Sequence, residues 1–199
     1  MDYGPFGWIE EYHPLFAKWT GSGQHFGFMN QPNAAFANYN VLVSSVVPVL
    51  CADGKQNPDE VAKEFLNKGA VVVEQAVSEM HRIKLGFDKD QDIGDDLFSS
   101  LEPLLRKSRT DWTLFYRQLT YVMRDFPKET DTDYEAMFAM LEGTEDEQKE
   151  GRSVFYEPLA AEVKGEWILW MQQWREALKS SGSLGTAYER MRTANPKVS

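Results

Sequence analysis

Cysteine is almost absent from this sequence: Cys51 stands alone among 199 residues. One thiol can form no intramolecular disulfide and no cysteine-rich zinc site. A small buried residue near a helix end is its expected role. Histidine is nearly as scarce, and His13, His25 and His81 share no metal-ligand spacing. No long run of basic residues offsets the acidic balance, in which 21 Lys+Arg face 31 Asp+Glu for a net charge of −10 and a pI near 4.8. Such a surface does not attract nucleic-acid phosphates or anionic membranes without a local basic patch. The segments "RIK" and "RKSR" are short, and both fall at expected helix ends, where cations suit the helix dipole. No apolar run approaches the ~20 residues that span a bilayer, and neither a signal peptide nor an Arg-rich presequence opens the chain. Strand-like alternation and internal repeats are also missing. No Ser-His-Asp ordering stands out, and Gly21-Ser22-Gly23 is too short for a phosphate loop.

What is present is apolar and aromatic: 42% and 13% of the residues, enough to bury a substantial core in one domain or a large piece of one. The first 33 residues are irregular, with five of the fourteen glycines and Pro5, Pro14 and Pro32. A loop of that length in a compact domain tends to be functional. Helical patterning begins with "AAFANYNVLVSSVVPVL" (34–50), whose last turn meets Pro48. "NPDE" starts a second helix over 58–84, with proline at the first helical position and a stripe of Val61, Phe65, Val72, Ala76, Met80 and Ile83; Gly86 stops it. Shorter helices are expected at 95–107, 111–125 and 131–141, then a long one over 152–179, bent at Pro158 or Gly165, and a last one over 184–194. The fold class is all-α behind a coiled segment.

Several constellations have structural readings. "DKDQDIGDD" (88–96) lacks the ligand alternation of a calcium loop, with Ser99 where the bidentate glutamate should fall, and reads as a solvated acidic turn. Trp167, Trp170 and Trp174 share a helix face with Met171 and Leu178, which predicts core packing. In "RTDWTLFYRQL" (109–119), Asp111 stands at a helix N-cap and Trp112, Phe115, Tyr116 and Leu119 form the buried face. Arg109 and Arg117 flank the aspartate and are expected to pair with carboxylates in a structural role.

The opening "MDYGPFGW" differs in kind. An aspartate, an aromatic and a glycine in a row are similar to the metal-binding Asp-Phe-Gly of protein kinases. "DYGPFGW" (2–8), "HFGFMNQPNAAFANYNVLVSSVVPVL" (25–50), "KLGF" (84–87), "SRTDWTLFYRQL" (108–119), "WILWMQQWREAL" (167–178) and "RMRTANPK" (190–197) together resemble the selenoprotein O family, in order and over nearly the whole chain. That family comprises kinase-like proteins that transfer AMP to protein hydroxyls.

The resemblance implies a set of expectations. The fold would be the helical C-terminal lobe of a protein-kinase-like fold, with residues 1–33 an activation-segment-like loop and 34–199 the partial helical lobe. Asp2 would be a magnesium or manganese ligand, and Gly4 would lend backbone to the same motif beside Tyr3 and Pro5. ATP would be the AMP donor and proteins the acceptors. The glycine-rich loop, nucleotide lysine and catalytic-loop asparagine of the family precede Asp-Tyr-Gly, so no complete catalytic set is expected in these residues and the chain alone would be inactive. A surface around Tyr3, Phe6 and Trp8 would favour self-association. The resemblance does not extend to the family's redox switch: bacterial relatives have a cysteine in the stretch after Asp-Tyr-Gly, where this sequence has "FAKWTGSG" (16–23). Eukaryotic members imply a mitochondrial location. A helical interaction module and a truncated product with no role are the alternative readings.

Overall fold

A computed structural model of the chain describes residues 9–16, 24, 27–88, 90–91, 94–144, 146 and 153–195. Among these residues there are seven α-helices and no strand, the all-α class expected. The helices are α1 (Gln31–Leu50), α2 (Pro58–Lys84), α3 (Gly94–Lys107), α4 (Trp112–Asp125), α5 (Tyr134–Glu142), α6 (Ala161–Ser180) and α7 (Leu184–Ala194). By contacts the chain forms two units, one holding the described residues from His13 to Val77 and the other Ile9–Tyr12 with those from Ser78 onward.

The first unit is a helical hairpin behind a short 3-10 turn, Phe28–Asn30. Pro32 suits the first turn of α1, so this helix starts three residues before the expected Ala34. Val43, Val47 and Cys51 form a small core with Tyr39, Val61, Ala62 and Leu66. Gly69 lets the helices touch: a Cβ there would lie 2.3 Å from the Tyr39 ring, whose hydroxyl donates to the Phe65 carbonyl at 3.2 Å. Only part of the expected α2 stripe is covered, because Val61 meets α1 while Phe65, Val72 and Met80 are exposed. Phe28–Leu50, 23 residues, is long and apolar enough by length and composition to cross a membrane, and 17% of its apolar window is buried. Asn, Gln and Ser interrupt its apolar runs without adding charge, which hides the segment from a search for unbroken hydrophobic stretches.

In the second unit α6 packs against α3, α5 and α7, and α4 against α5 and α7. The tryptophan face of α6 supplies the centre: Trp167, Trp170 and Trp174 are all buried, as expected. Each indole N–H finds an acceptor, at Ser108 Oγ (2.7 Å), the Leu97 carbonyl (3.3 Å) and the Leu85 carbonyl (2.8 Å) respectively. Arg175, fully buried on the same helix, donates to the carbonyls of Phe126 (2.6 Å) and Lys128 (2.8 Å) and so ties down the α4–α5 connection. The last long helix begins at Ala161, not at the expected 152, and Gly165 lies inside it. Residues 153–160 are instead irregular, with Phe155 bridged to Thr110 and Pro158 ahead of the helix. Gly86 ends α2 at φ +90°, where a Cβ would crowd Ala187 at 2.9 Å.

Candidate functional site

Asp2 and Gly4, with Tyr3 and Pro5 of the same motif, lie outside the described residues, as do Phe6 and Trp8. The chain enters the described region at Ile9, and there it is firmly held. Ile9 and Tyr12 are buried. The Tyr12 amide donates to the Thr110 carbonyl at 2.7 Å, and the Trp112 amide donates to the Glu10 carbonyl at 2.8 Å. On the other side of this central segment, the Asp111 amide donates to the Val154 carbonyl at 2.7 Å. Three stretches, 9–12, 109–112 and 153–157, thus lie side by side through the isolated bridges Glu11↔Asp111 and Thr110↔Phe155. Tyr12 stacks on Trp112 with ring centroids 5.0 Å apart.

Arg109 joins all three. Its backbone takes φ 46°, a left-handed conformation that costs a non-glycine residue energy. From there Nε reaches both Glu11 oxygens at 3.2 Å, Nη2 donates to Glu11 Oε2 at 2.9 Å, and Nη1 pairs with Glu157. These bonds to the Glu11 carboxylate push the guanidinium pKa further up. Asp111 caps α4, accepting from the Leu114 amide at 2.7 Å, and its second oxygen accepts from the Tyr156 hydroxyl at 3.1 Å. Burial pushes the Asp111 carboxyl up, against the hydrogen bonds that lower it. Burial is also the largest cause raising the Tyr12 and Tyr156 hydroxyls. With both carboxylate oxygens engaged, Asp111 works as an anchor.

The other expected residues are dispersed. Arg109 pairs with carboxylates as predicted, whereas Arg117 makes no ion pair with a described residue. His13 Nδ1 accepts from the Leu15 amide at 3.1 Å, His81 stacks on Phe98 at 3.7 Å, and His25 lies outside the described residues. Cys51 is buried beyond the end of α1, as its composition suggested. In the acidic turn after α2, Asp88 pairs with Arg190 at 3.4 Å and Gln91 donates to the Ser181 carbonyl at 2.7 Å. Among the described residues no group of three or more His, Cys, Asp or Glu side chains could hold a metal ion.

One junction escaped sequence reasoning. Asn195, just past α7, donates from Nδ2 to the Lys84 carbonyl at 2.9 Å and to Thr120 Oγ1 at 3.0 Å. Lys84 Nζ lies 3.5 Å from Asn195 Oδ1 and 4.7 Å above the Tyr116 ring. Arg190 donates to the Gly86 carbonyl at 3.0 Å. Lys84 and Gly86 of "KLGF", Tyr116 of "SRTDWTLFYRQL" with the following Thr120, and Arg190 and Asn195 of the last motif therefore meet in one place. Their common membership of the shared motifs was the available signal. Burial brings the Lys84 ammonium down to about 8.

Comparison with known proteins covers the whole chain. The family model described as "Protein adenylyltransferase SelO" matches residues 1–199. A protein nucleotidyltransferase YdiU of Flavobacterium johnsoniae is 26% identical over 99% of this chain and 34% of its own length. The protein of the same name from Ralstonia nicotianae is 27% identical over 99% of this chain and 36% of its own length. That from Rhodopirellula baltica is 34% identical over 60% of this chain and 22% of its own length. The chain thus spans about a third of the length of the curated relatives that it matches end to end.

Proposed function

Because the chain belongs to the protein adenylyltransferase SelO family, we propose that it serves ATP-dependent transfer of AMP to serine, threonine or tyrosine hydroxyls of proteins. The observation that carries this reading is the family match over residues 1–199, with Asp-Tyr-Gly-Pro at positions 2–5. In the reaction the acceptor oxygen attacks the α-phosphorus, the bond to the bridging oxygen breaks, and pyrophosphate leaves with the electron pair. The acceptor's proton passes to a base or to solvent. Asp2 would hold magnesium or manganese and Gly4 would let the backbone of that motif approach it; the metal would supply charge neutralisation at the phosphates. The described residues of this chain contribute a fixed exit for the motif segment, through the bonds of Glu10, Glu11 and Tyr12 to 109–112. We propose further that the 199 residues are inactive alone and that their setting is mitochondrial, both on the family resemblance.

The test is a chimaera in which these residues replace the matching third of the Flavobacterium johnsoniae nucleotidyltransferase, incubated with α-labelled ATP, magnesium and an acceptor protein. The parent chimaera should label the acceptor. Asp2→Ala should lower labelling at least about a hundredfold, since a metal ion's charge stabilisation is worth several kcal/mol. Equal labelling by both would remove Asp2 from the reaction, and labelling by the isolated 199 residues would overturn their inactivity. A helical interaction module is the second reading, favoured by the exposed apolar side chains Val41, Leu42, Val49 and Leu50 on α1.

A further inference from the structure

We propose that Lys84 is a covalent modification site that takes a small acyl group, such as acetyl, from an activated donor, either an acyl phosphate or an acyl thioester. Three observations together place it apart from the other described lysines. Among the described residues its ammonium has no carboxylate partner, a feature it shares only with the exposed Lys63 and Lys128, whereas Lys55, Lys68, Lys107, Lys164 and Lys179 each lie 2.6–3.1 Å from one. It sits at a junction of three helices, with Tyr116 and Thr120 from α4 and Asn195 from beyond α7 around it, none of which carries charge at neutral pH. It is half-buried: shielded enough to lose hydration yet not closed off from solvent.

These conditions set its chemistry. The Tyr116 ring face favours the ammonium, but burial opposes it and prevails, bringing the amine to about 8. At pH 7.5 about a quarter of Lys84 is then free amine, against about one part in a thousand for an ordinary lysine. That is a gain of roughly 200-fold in the reactive form. Intrinsic nucleophilicity falls with pKa, with a slope of about 0.4–0.5 for thiols; the same slope for amines takes back about tenfold. A net advantage of roughly 20-fold remains before any steric loss.

The step balances without a further reactant. The Nζ lone pair attacks the acyl carbon, and the carbon–oxygen bond to phosphate or the carbon–sulfur bond to the thiol breaks. The leaving group departs with the electron pair, and one amine proton goes to solvent. The product is a neutral amide that keeps one N–H to offer Asn195 Oδ1, and the desolvated charge is gone.

The experiment treats the 199-residue chain with limiting acetyl phosphate in one arm and an acetyl thioester in the other, and reads each lysine by peptide mass spectrometry. In at least one arm Lys84 should acetylate about tenfold or more faster than the median lysine at pH 7.5, an advantage that shrinks towards pH 10.5 as the others deprotonate. The arm that labels identifies the donor. The advantage should vanish in guanidinium chloride, and Lys84→Arg should remove that one signal alone. Acetylation at or below the median in both arms would overturn the proposal. So would a lead that survives denaturation, since local sequence rather than the fold would then explain it.

Discussion

At Lys84 burial and a ring face pull in opposite directions, and the outcome is a stability cost at neutral pH. The amine is held near 8 in the folded chain, below its value of 10.5 as a free side chain, because burial disfavours the charge. The folded state therefore binds fewer protons than the unfolded state between those two values, and stability rises with pH across that window. Below pH 8 both states are protonated and the full penalty is present, roughly 3 kcal/mol from the size of the shift. Lys84→Met keeps the apolar stem and drops the charge. It should raise the urea midpoint at pH 7 by the equivalent of about 1–2 kcal/mol after the lost ring contact is counted, with the gain fading by about pH 10. A gain of the same size at both pH values would point to packing instead. Tyr116 also titrates, with burial pushing its hydroxyl up, but both chains carry it and the comparison cancels it. Nothing in the local pattern marks Lys84, which reads as an ordinary cation in the last turn of α2. Its surroundings come from residues 111 positions away, at Asn195.

Among the elements, α4 depends most visibly on one residue. Asp111 caps it at Leu114 and receives the Tyr156 hydroxyl, and the same residue's backbone joins Glu11 and Val154. Asp111→Ala should cost about 1–2 kcal/mol through loss of the cap and of the partner of Tyr156. Asp111→Asn keeps an acceptor oxygen without a charge. Because burial raises the carboxyl above its ordinary value, any stability it contributes is present at low pH and is lost as pH rises through the folded value. Asp111→Asn should therefore equal or exceed the parent in urea at neutral pH, and the margin should close on acidification. An asparagine variant as weak as alanine would show that the carboxylate charge itself holds the segment. This cap was legible in the sequence, as were both ends of α2 and of α7, because capping residues, prolines and Gly86 act within a turn of their position. The start of α6 was not, because Phe155 is held by Thr110 across the fold. The Arg109–Glu11 clamp was equally hidden, since its partners stand 98 residues apart and local periodicity carries no trace of them.

At the scale of the whole molecule, α1 presents an exposed apolar face. Val43 and Val47 cover one side of this helix against α2, while Leu42, Val46 and Val49 recur on another at i, i+4 and i+7 and are exposed beside Val41 and Leu50. A helix that is apolar on all sides is normally covered or in lipid. Sequence alone placed the sticky surface at Tyr3, Phe6 and Trp8, outside the described residues; it had no means to tell which side of so evenly apolar a helix is covered. The net charge of −10 pushes copies apart, yet no charged residue occurs from Phe28 to Ala52, so two α1 faces can meet without opposing like charges at the contact. Contiguous apolar patches beyond a few hundred Å² on a monomer tend to mediate association. The isolated chain should therefore sediment faster as its concentration rises. Leu42→Glu combined with Val49→Glu should return it to a monomer with unchanged helical circular dichroism, because both side chains point away from the hairpin core. Added salt should strengthen association of the parent by screening the overall repulsion. A parent chain that stays monomeric across a hundredfold concentration range at high salt would remove α1 as an association surface, and a double variant that still associates would move the contact to a face other than Leu42 and Val49.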